Sequence, residues 1–179
     1  MILIIQIQNT PFHYFEFVKP IEDIIKNSGA SCSSNHYKQI SDYDLSTAEK
    51  IIIAGTSLKD NSYLSDVEKF SWIKDCKTPI LGICGGMQIL AACFDERIKK
   101  GQEIGLHAIN FSTEFLGEKD DVEVYELHNY YVKPSYFEVI ASSKKYPQII
   151  VHPQKPFYGI LFHPEVRNKS MIAHFINET

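Results

Sequence analysis

No two cysteines in this chain have the C-x-x-C spacing of a metal knuckle or a dithiol redox site; Cys32, Cys76, Cys84 and Cys93 are expected as free thiols. Basic residues form no block. The 18 Lys and Arg are scattered among 22 Asp and Glu for a net charge of -4, which offers nucleic acid no electrostatic footprint. No apolar run approaches the roughly 20 residues of a membrane helix. The apolar start from Met1 to Ile5 is followed by Gln6 and Gln8, and it lacks a basic leader and a small-residue cleavage site. A cytoplasmic chain with no membrane partner is therefore expected. A glycine-rich nucleotide loop, a metal-ligand motif, an internal repeat and a linker are also missing. Residues 1–179 read as a single domain with no metal and no cofactor of its own.

The pattern that is present is α/β. Residues 1–7 form an isoleucine-rich run, as for a strand buried on both faces. Thr10 and Pro11 look like an N-cap and a first helical position, ahead of Phe17, Val18, Ile21, Ile24 and Ile25 at helical spacing, with Gly29 as the stop. A short strand is expected near 30–35. Residues 49–55 form the next central strand, and Ser65 with Glu68 reads as a capping box for a helix lined by Val67, Phe70 and Ile73. Residues 79–83 form a third strand, followed by a helix with Met87, Leu90, Ala91 and Phe94 on one face. From about residue 104 the texture changes to short β segments at 106–113, 121–126, 136–141 and 148–152. A strand returns at 157–162, and Met171, Ile172, Phe175 and Ile176 mark a closing helix. The expected fold is a flavodoxin-like open, mostly parallel sheet with helices on both faces and an antiparallel β excursion in the second half.

Cys84 lies where a strand gives way to a helix, in Gly82-Ile83-Cys84-Gly85-Gly86-Met87-Gln88. A nucleophile on such a turn is held out of the sheet at the carboxyl end of its strand, where open α/β sheets place their ligands. Gly82 and Gly86 would let strand and helix approach closely. The positive end of the following helix favours the reactive thiolate. A thiol nucleophile needs a base, and the base needs an orienting group. His163-Pro164-Glu165 supplies both, because residues i and i+2 of an extended segment share a face. Backbone N–H groups at Gly85 and Gly55 are placed to donate to an oxyanion.

These residues resemble the class I (triad) glutamine amidotransferases. The motif G-x-C-x-G-x-Q is filled by Gly82, Cys84, Gly86 and Gln88, and the late His-Pro-Glu by His163, Pro164 and Glu165. The two lie about eighty residues apart. The resemblance implies that Cys84 attacks the glutamine side-chain amide, that His163 moves the proton, and that a γ-glutamyl thioester is then hydrolysed. It implies that Gln88 helps hold the substrate's amino-acid end, and that Leu127, Asn129 and Tyr130, with the intervening His128, belong to a loop whose backbone completes that pocket.

Residues 136–141 and the form Phe162-His163-Pro164-Glu165-Val166 resemble the amidotransferase subunits of GMP synthases, most of all the free-standing archaeal type. That resemblance implies a separate ATP-pyrophosphatase synthase as partner, with ATP and Mg held on that partner. Other readings are a histidine-biosynthesis or cobyrinate-type amidotransferase, a γ-glutamyl peptide hydrolase, and a non-catalytic partner-binding domain. The chain departs from GMP synthase relatives in carrying Ala54-Gly55-Thr56 for their Gly-Gly-Pro. It also has Gly85 and Met87 where they carry a bulky residue and a His.

Overall fold

Isoleucine-rich runs at Ile2–Gln6 (β1), Lys50–Ile53 (β3) and Ile80–Ile83 (β4) have no polar face, so each must be covered on both sides. The computed structural model, which describes residues 1–178, places them in one nine-stranded sheet of order β2-β1-β3-β4-β9-β8-β7-β5-β6. Cys32–His36 is β2 and Phe157–Ile160 is β9. The run from β2 to β9 is parallel throughout. Two apolar cores lie on opposite faces. One joins the sheet to α2 (Lys19–Asn27) and α5 (Lys169–Glu178); the other joins it to α4 (Gly85–Cys93) and the 3-10 segment Val67–Lys74. This is the expected open sheet with helices on both faces.

The remaining strands, Arg97–Phe111 (β5), Val122–Lys133 (β6), Glu138–Ser142 (β7) and Pro147–Val151 (β8), extend the sheet in antiparallel fashion. The β excursion is longer than the short segments expected from the sequence. It begins at Arg97 rather than near 104, and β6 runs through Leu127, His128, Asn129 and Tyr130, which were expected in a loop. Alternation explains the difference. Glu126 and His128 are polar yet buried, so the apolar/polar pattern that marks a half-solvated strand is lost there.

Local details differ as well. The first helix is broken into a 3-10 turn at Pro11–His13, a short α1 (Tyr14–Phe17) and α2. Pro20 has no N–H to give the preceding turn, so the helix restarts around it. Thr10 stands at the cap position, but its side chain makes no capping bond. The expected Ser65–Glu68 box is not formed. Asp66 occupies the cap position, and its carboxylate is taken by the Tyr37 hydroxyl and by Lys38 Nζ at 3.2 Å. A true capping box forms instead between Ser41 and Asp44, at the start of α3 (Asp42–Thr47). The stripe Phe17, Val18, Ile21, Ile24 and Ile25 is buried as expected, and Gly29 ends α2 with φ +78°.

Candidate active site

Three neighbouring parallel strands deliver the site. β3, β4 and β9 pair side by side, so the residues after their carboxyl ends emerge about 4.8 Å apart per strand step. Those residues are Gly55, Cys84 and His163. Residues that are far apart in sequence are thus made adjacent by strand order alone.

Cys84 sits at φ +49°, ψ -103°, a region costly for any residue with a side chain. The strain is held from both sides. Its N–H donates to the Ile160 carbonyl at 2.7 Å, and its carbonyl accepts from Gln88 N at 3.2 Å. Gly82 and Gly86 make the turn possible. A Cβ on Gly82 would lie 2.5 Å from Gly86 backbone, and one on Gly86 would lie 2.2 Å from the Ile53 carbonyl oxygen. The thiol lies 3.6 Å from the carbonyl oxygen of Leu127 on β6.

His163 Nδ1 donates to Glu165 Oε1 at 2.7 Å, with both residues about 1% exposed. The bond fixes the ring's orientation and leaves Nε2 for other work. Nε2 is buried and makes no hydrogen bond among the described residues. Burial alone pushes the imidazole toward its neutral form, but the charge of Glu165 and then the Cys84 thiol outweigh it and hold the pKa well above the usual histidine value. Because the folded-state pKa is raised, the stabilisation it brings is fully present below about pH 6.5 and is lost as pH rises through the folded value. Thermal unfolding across that window should therefore show the wild-type Tm falling with rising pH. In Glu165→Gln this slope should flatten, and glutamine hydrolysis should drop on the order of 10²-fold or more as the ring loses its orienter.

Gly55 is pressed against this pair. A Cβ there would lie 2.7 Å from His163 Cε1 and 3.4 Å from Cys84 Cβ. The Ala54–Thr56 segment is buried, and the loop beyond it is anchored by Asp60, which accepts from Asn9 N at 2.6 Å and from Thr56 Oγ1 at 3.4 Å. The segment that departs from Gly-Gly-Pro is therefore firmly held. Gly85 is glycine for a local reason: its Cβ would meet Ile7 Cδ1 at 2.6 Å and the Tyr63 ring at 3.0 Å. Met87 is fully buried against Gly159.

Of the four residues expected around the substrate, Gln88 and Leu127 touch Cys84 through backbone atoms, and Asn129 and Tyr130 are tied to their neighbours. Gln88 is clamped: its Oε1 accepts from the Tyr63 hydroxyl at 2.8 Å, and its Nε2 donates to the Tyr130 carbonyl at 3.1 Å. Asn129 Nδ2 donates to the Leu58 carbonyl at 2.9 Å, tying β6 to the loop after β3. Leu127 offers its carbonyl to the thiol. A cleft of about 400 Å³ is lined by Asn61, Lys100, Asn129 and Tyr130, but by neither Cys84 nor His163. Two contributors went unread in the sequence. Phe17 covers the His163 ring at 5.3 Å between centroids, and Tyr63 fixes Gln88. Phe17 belongs to an apolar helical pattern that signals only burial, and Tyr63 lies in a 3-10 turn, Ser62–Ser65, that no sequence pattern marked.

The family model for class I glutamine amidotransferases matches residues 13–179. The chain belongs to this family. It is similar to the GMP synthase of Francisella philomiragia, at 34% identity over 141 residues, covering 72% of this chain and 27% of that protein. It is also similar to a separate glutamine-hydrolysing GMP synthase subunit from Sulfolobus acidocaldarius, at 31% identity over 119 residues, covering 60% of this chain and 63% of the relative. The chain thus spans only about a quarter of the length of the full GMP synthases it matches. Among solved structures, a Thermoplasma acidophilum protein provisionally described as a GMP synthase subunit superposes with TM-score 0.85 at 23% identity, covering 98% of this chain and 91% of the other. A Thermotoga maritima glutamine amidotransferase superposes at 0.73 and 20% identity, covering 96% and 80%. These structural likenesses establish the flavodoxin-like amidotransferase fold. No helix among the described residues is long and apolar enough to cross a membrane.

Proposed function

We propose that this amidotransferase chain hydrolyses glutamine to glutamate and ammonia and passes the ammonia to a separate synthase, the ATP-pyrophosphatase component of a GMP synthase. The observation that carries the reading is the strained Cys84 at the end of β4, set beside a buried His163–Glu165 pair bonded at 2.7 Å. In this reading Cys84 Sγ attacks the side-chain amide carbon of glutamine, and His163 takes the thiol proton and gives it to the departing ammonia. The oxyanion is met by the N–H groups of Gly55 and Gly85. Water then cleaves the γ-glutamyl thioester, with His163 as base. Gln88 and Tyr63 hold the β6 backbone at Tyr130 and so shape the place for the amino-acid end, together with Leu127 and Asn129. ATP and Mg belong to the synthase.

Cys84 is only 4% exposed and His163 1%, so the site is closed in the isolated chain, and a docking partner is the natural trigger for opening it. The test is reconstitution with an ATP-pyrophosphatase-type synthase, xanthosine monophosphate and ATP-Mg. Glutamine-dependent GMP formation is expected, with glutaminase activity stimulated at least tenfold or so over the free chain, a gain of about 1.4 kcal/mol in barrier. Stimulation by a synthase that amidates another acceptor, with no GMP formed, would reassign the pathway and leave the glutaminase in place. Cleavage of γ-glutamyl peptides with no action on free glutamine would replace the reading altogether.

A further inference from the structure

On the paired strands β5 and β6 lies a second polar cluster that the glutaminase chemistry does not use. Glu103 on β5 and Glu126 and His128 on β6 are all buried, and one ligand atom from each falls within 4.8 Å of the others. His128 Nε2 is 2.8 Å from Glu126 Oε2 and 3.8 Å from Glu103 Oε2. Gln148 Nε2 donates to the same two oxygens, at 2.9 Å to Glu126 and 3.3 Å to Glu103, and Ser143 Oγ donates to Glu103 at 2.9 Å.

The cluster leaves one buried acceptor, Glu126 Oε1, without a partner and turns a ring nitrogen toward two carboxylates. His128 Nδ1 lies 3.1 Å from the Gly101 carbonyl. A carbonyl oxygen can only accept, so Nδ1 carries a proton. In the neutral ring Nε2 then presents a lone pair, and it faces carboxylate oxygens. Among the described residues, neither Glu103 nor Glu126 is ion-paired to a Lys or Arg, and Glu126 Oε1 is buried with no hydrogen-bond partner. Two buried carboxylates with one neutral ring between them are expensive. A divalent ion takes up the Nε2 lone pair and both carboxylates, with Glu126 able to bind through both oxygens.

The geometry suits such an ion. Ligands about 2.1 Å from a metal stand about 3.0 Å apart in an octahedron and about 3.4 Å apart in a tetrahedron, which the observed 2.8 and 3.8 Å bracket. The Nδ1–carbonyl bond is the outer-shell contact that orients a ligating histidine. We infer that Glu103, Glu126 and His128 form a binding site for a divalent first-row transition ion of the zinc and manganese class, the ion that a mixed imidazole and carboxylate set selects. Bound there, the ion would brace β5 against β6 on either side of Leu127, whose carbonyl meets the Cys84 thiol.

Cobalt(II) is a suitable probe, and it is best added to chelator-stripped Cys84→Ala protein so that the Cys84 thiol cannot compete. One equivalent should bind, giving visible d–d absorption with no sulfur charge-transfer band. Glu103→Gln and Glu126→Gln should each weaken binding at least about tenfold while keeping native circular dichroism. The absence of stoichiometric binding, a sulfur charge-transfer band, or unchanged affinity in both folded variants would overturn the site. Should the variants not fold, X-ray absorption of the zinc-loaded Cys84→Ala protein decides. One imidazole with oxygen ligands supports the site, whereas sulfur or a second imidazole overturns it.

Discussion

Cys84→Ala is expected to lower glutamine hydrolysis by on the order of 10³-fold or more while leaving the fold intact. The substitution removes only Sγ, whose hydrogen bond to the Leu127 carbonyl is a long one of 3.6 Å. The backbone bonds that shape the turn, to Ile160 and from Gln88, do not involve the side chain. Stability should therefore change little, and Cys84→Gly should be more stable than Cys84→Ala. Glycine alone relaxes at φ +49°, ψ -103°, where a side chain costs about 1–3 kcal/mol. An inactive variant that melts above the alanine variant would show strain held in place for the nucleophile. Steady-state ammonia release and thermal melts of the three proteins measure both effects. Full glutaminase activity in Cys84→Ala would remove the mechanism.

Gly86→Ala should damage folding rather than chemistry. Its new Cβ would lie 2.2 Å from the Ile53 carbonyl oxygen, 2.9 Å from its carbon and 3.0 Å from its Cβ. These atoms belong to β3, in the middle of the sheet, so no flexible side chain can give way. Helix α4 must move off the sheet, which opens the packing of Met87, Leu90 and Ala91, all fully buried. The cost should be about 3 kcal/mol or more. In a chain of this size that corresponds to a fall in Tm of about 6–12 °C, seen by calorimetry or circular dichroism. Because α4 begins beside Cys84, activity should fall with stability, and a second-site change that restores Tm should not fully restore turnover.

Much of this was legible in the sequence because the central strands and the elbow obey local rules. Ile51, Ile52 and Ile53 read as a strand covered on both faces, and a cysteine between Gly82 and Gly86 after such a strand reads as a close strand–helix turn. The pairing of Cys84 with His163 was legible from residue type, since each needs the other, and strand order β3-β4-β9 brings them together along with Gly55. The hairpin of β5 and β6 was read too short. Its inner face carries Glu103, Glu126 and His128 where apolar residues would announce a strand, so the polar cluster hid both the element and itself. Its ligands come from two strands with no motif spacing, and only the β5–β6 pairing of Glu103 with His128 unites them. Phe17 and Tyr63 were hidden differently: Phe17 was expected to be buried, but not against His163, and Tyr63 lies outside every element that the sequence pattern marked. The Ser65 box failed because Tyr37 and Lys38, distant in sequence, claim the Asp66 carboxylate.

Labelling of the synthase-bound chain with a glutamine-like diazo-ketone, followed by peptide mapping, shows whether Cys84 is the nucleophile. Cys32 and Cys76 are partly exposed whereas Cys84 and Cys93 are buried, so a reagent guided by access alone would mark the first two. A single thioether adduct on Cys84, formed with loss of dinitrogen, is expected, its formation slowed by glutamine and by Glu165→Gln. Modification of Cys32 or Cys76 without protection by glutamine, with Cys84 left free, would contradict it.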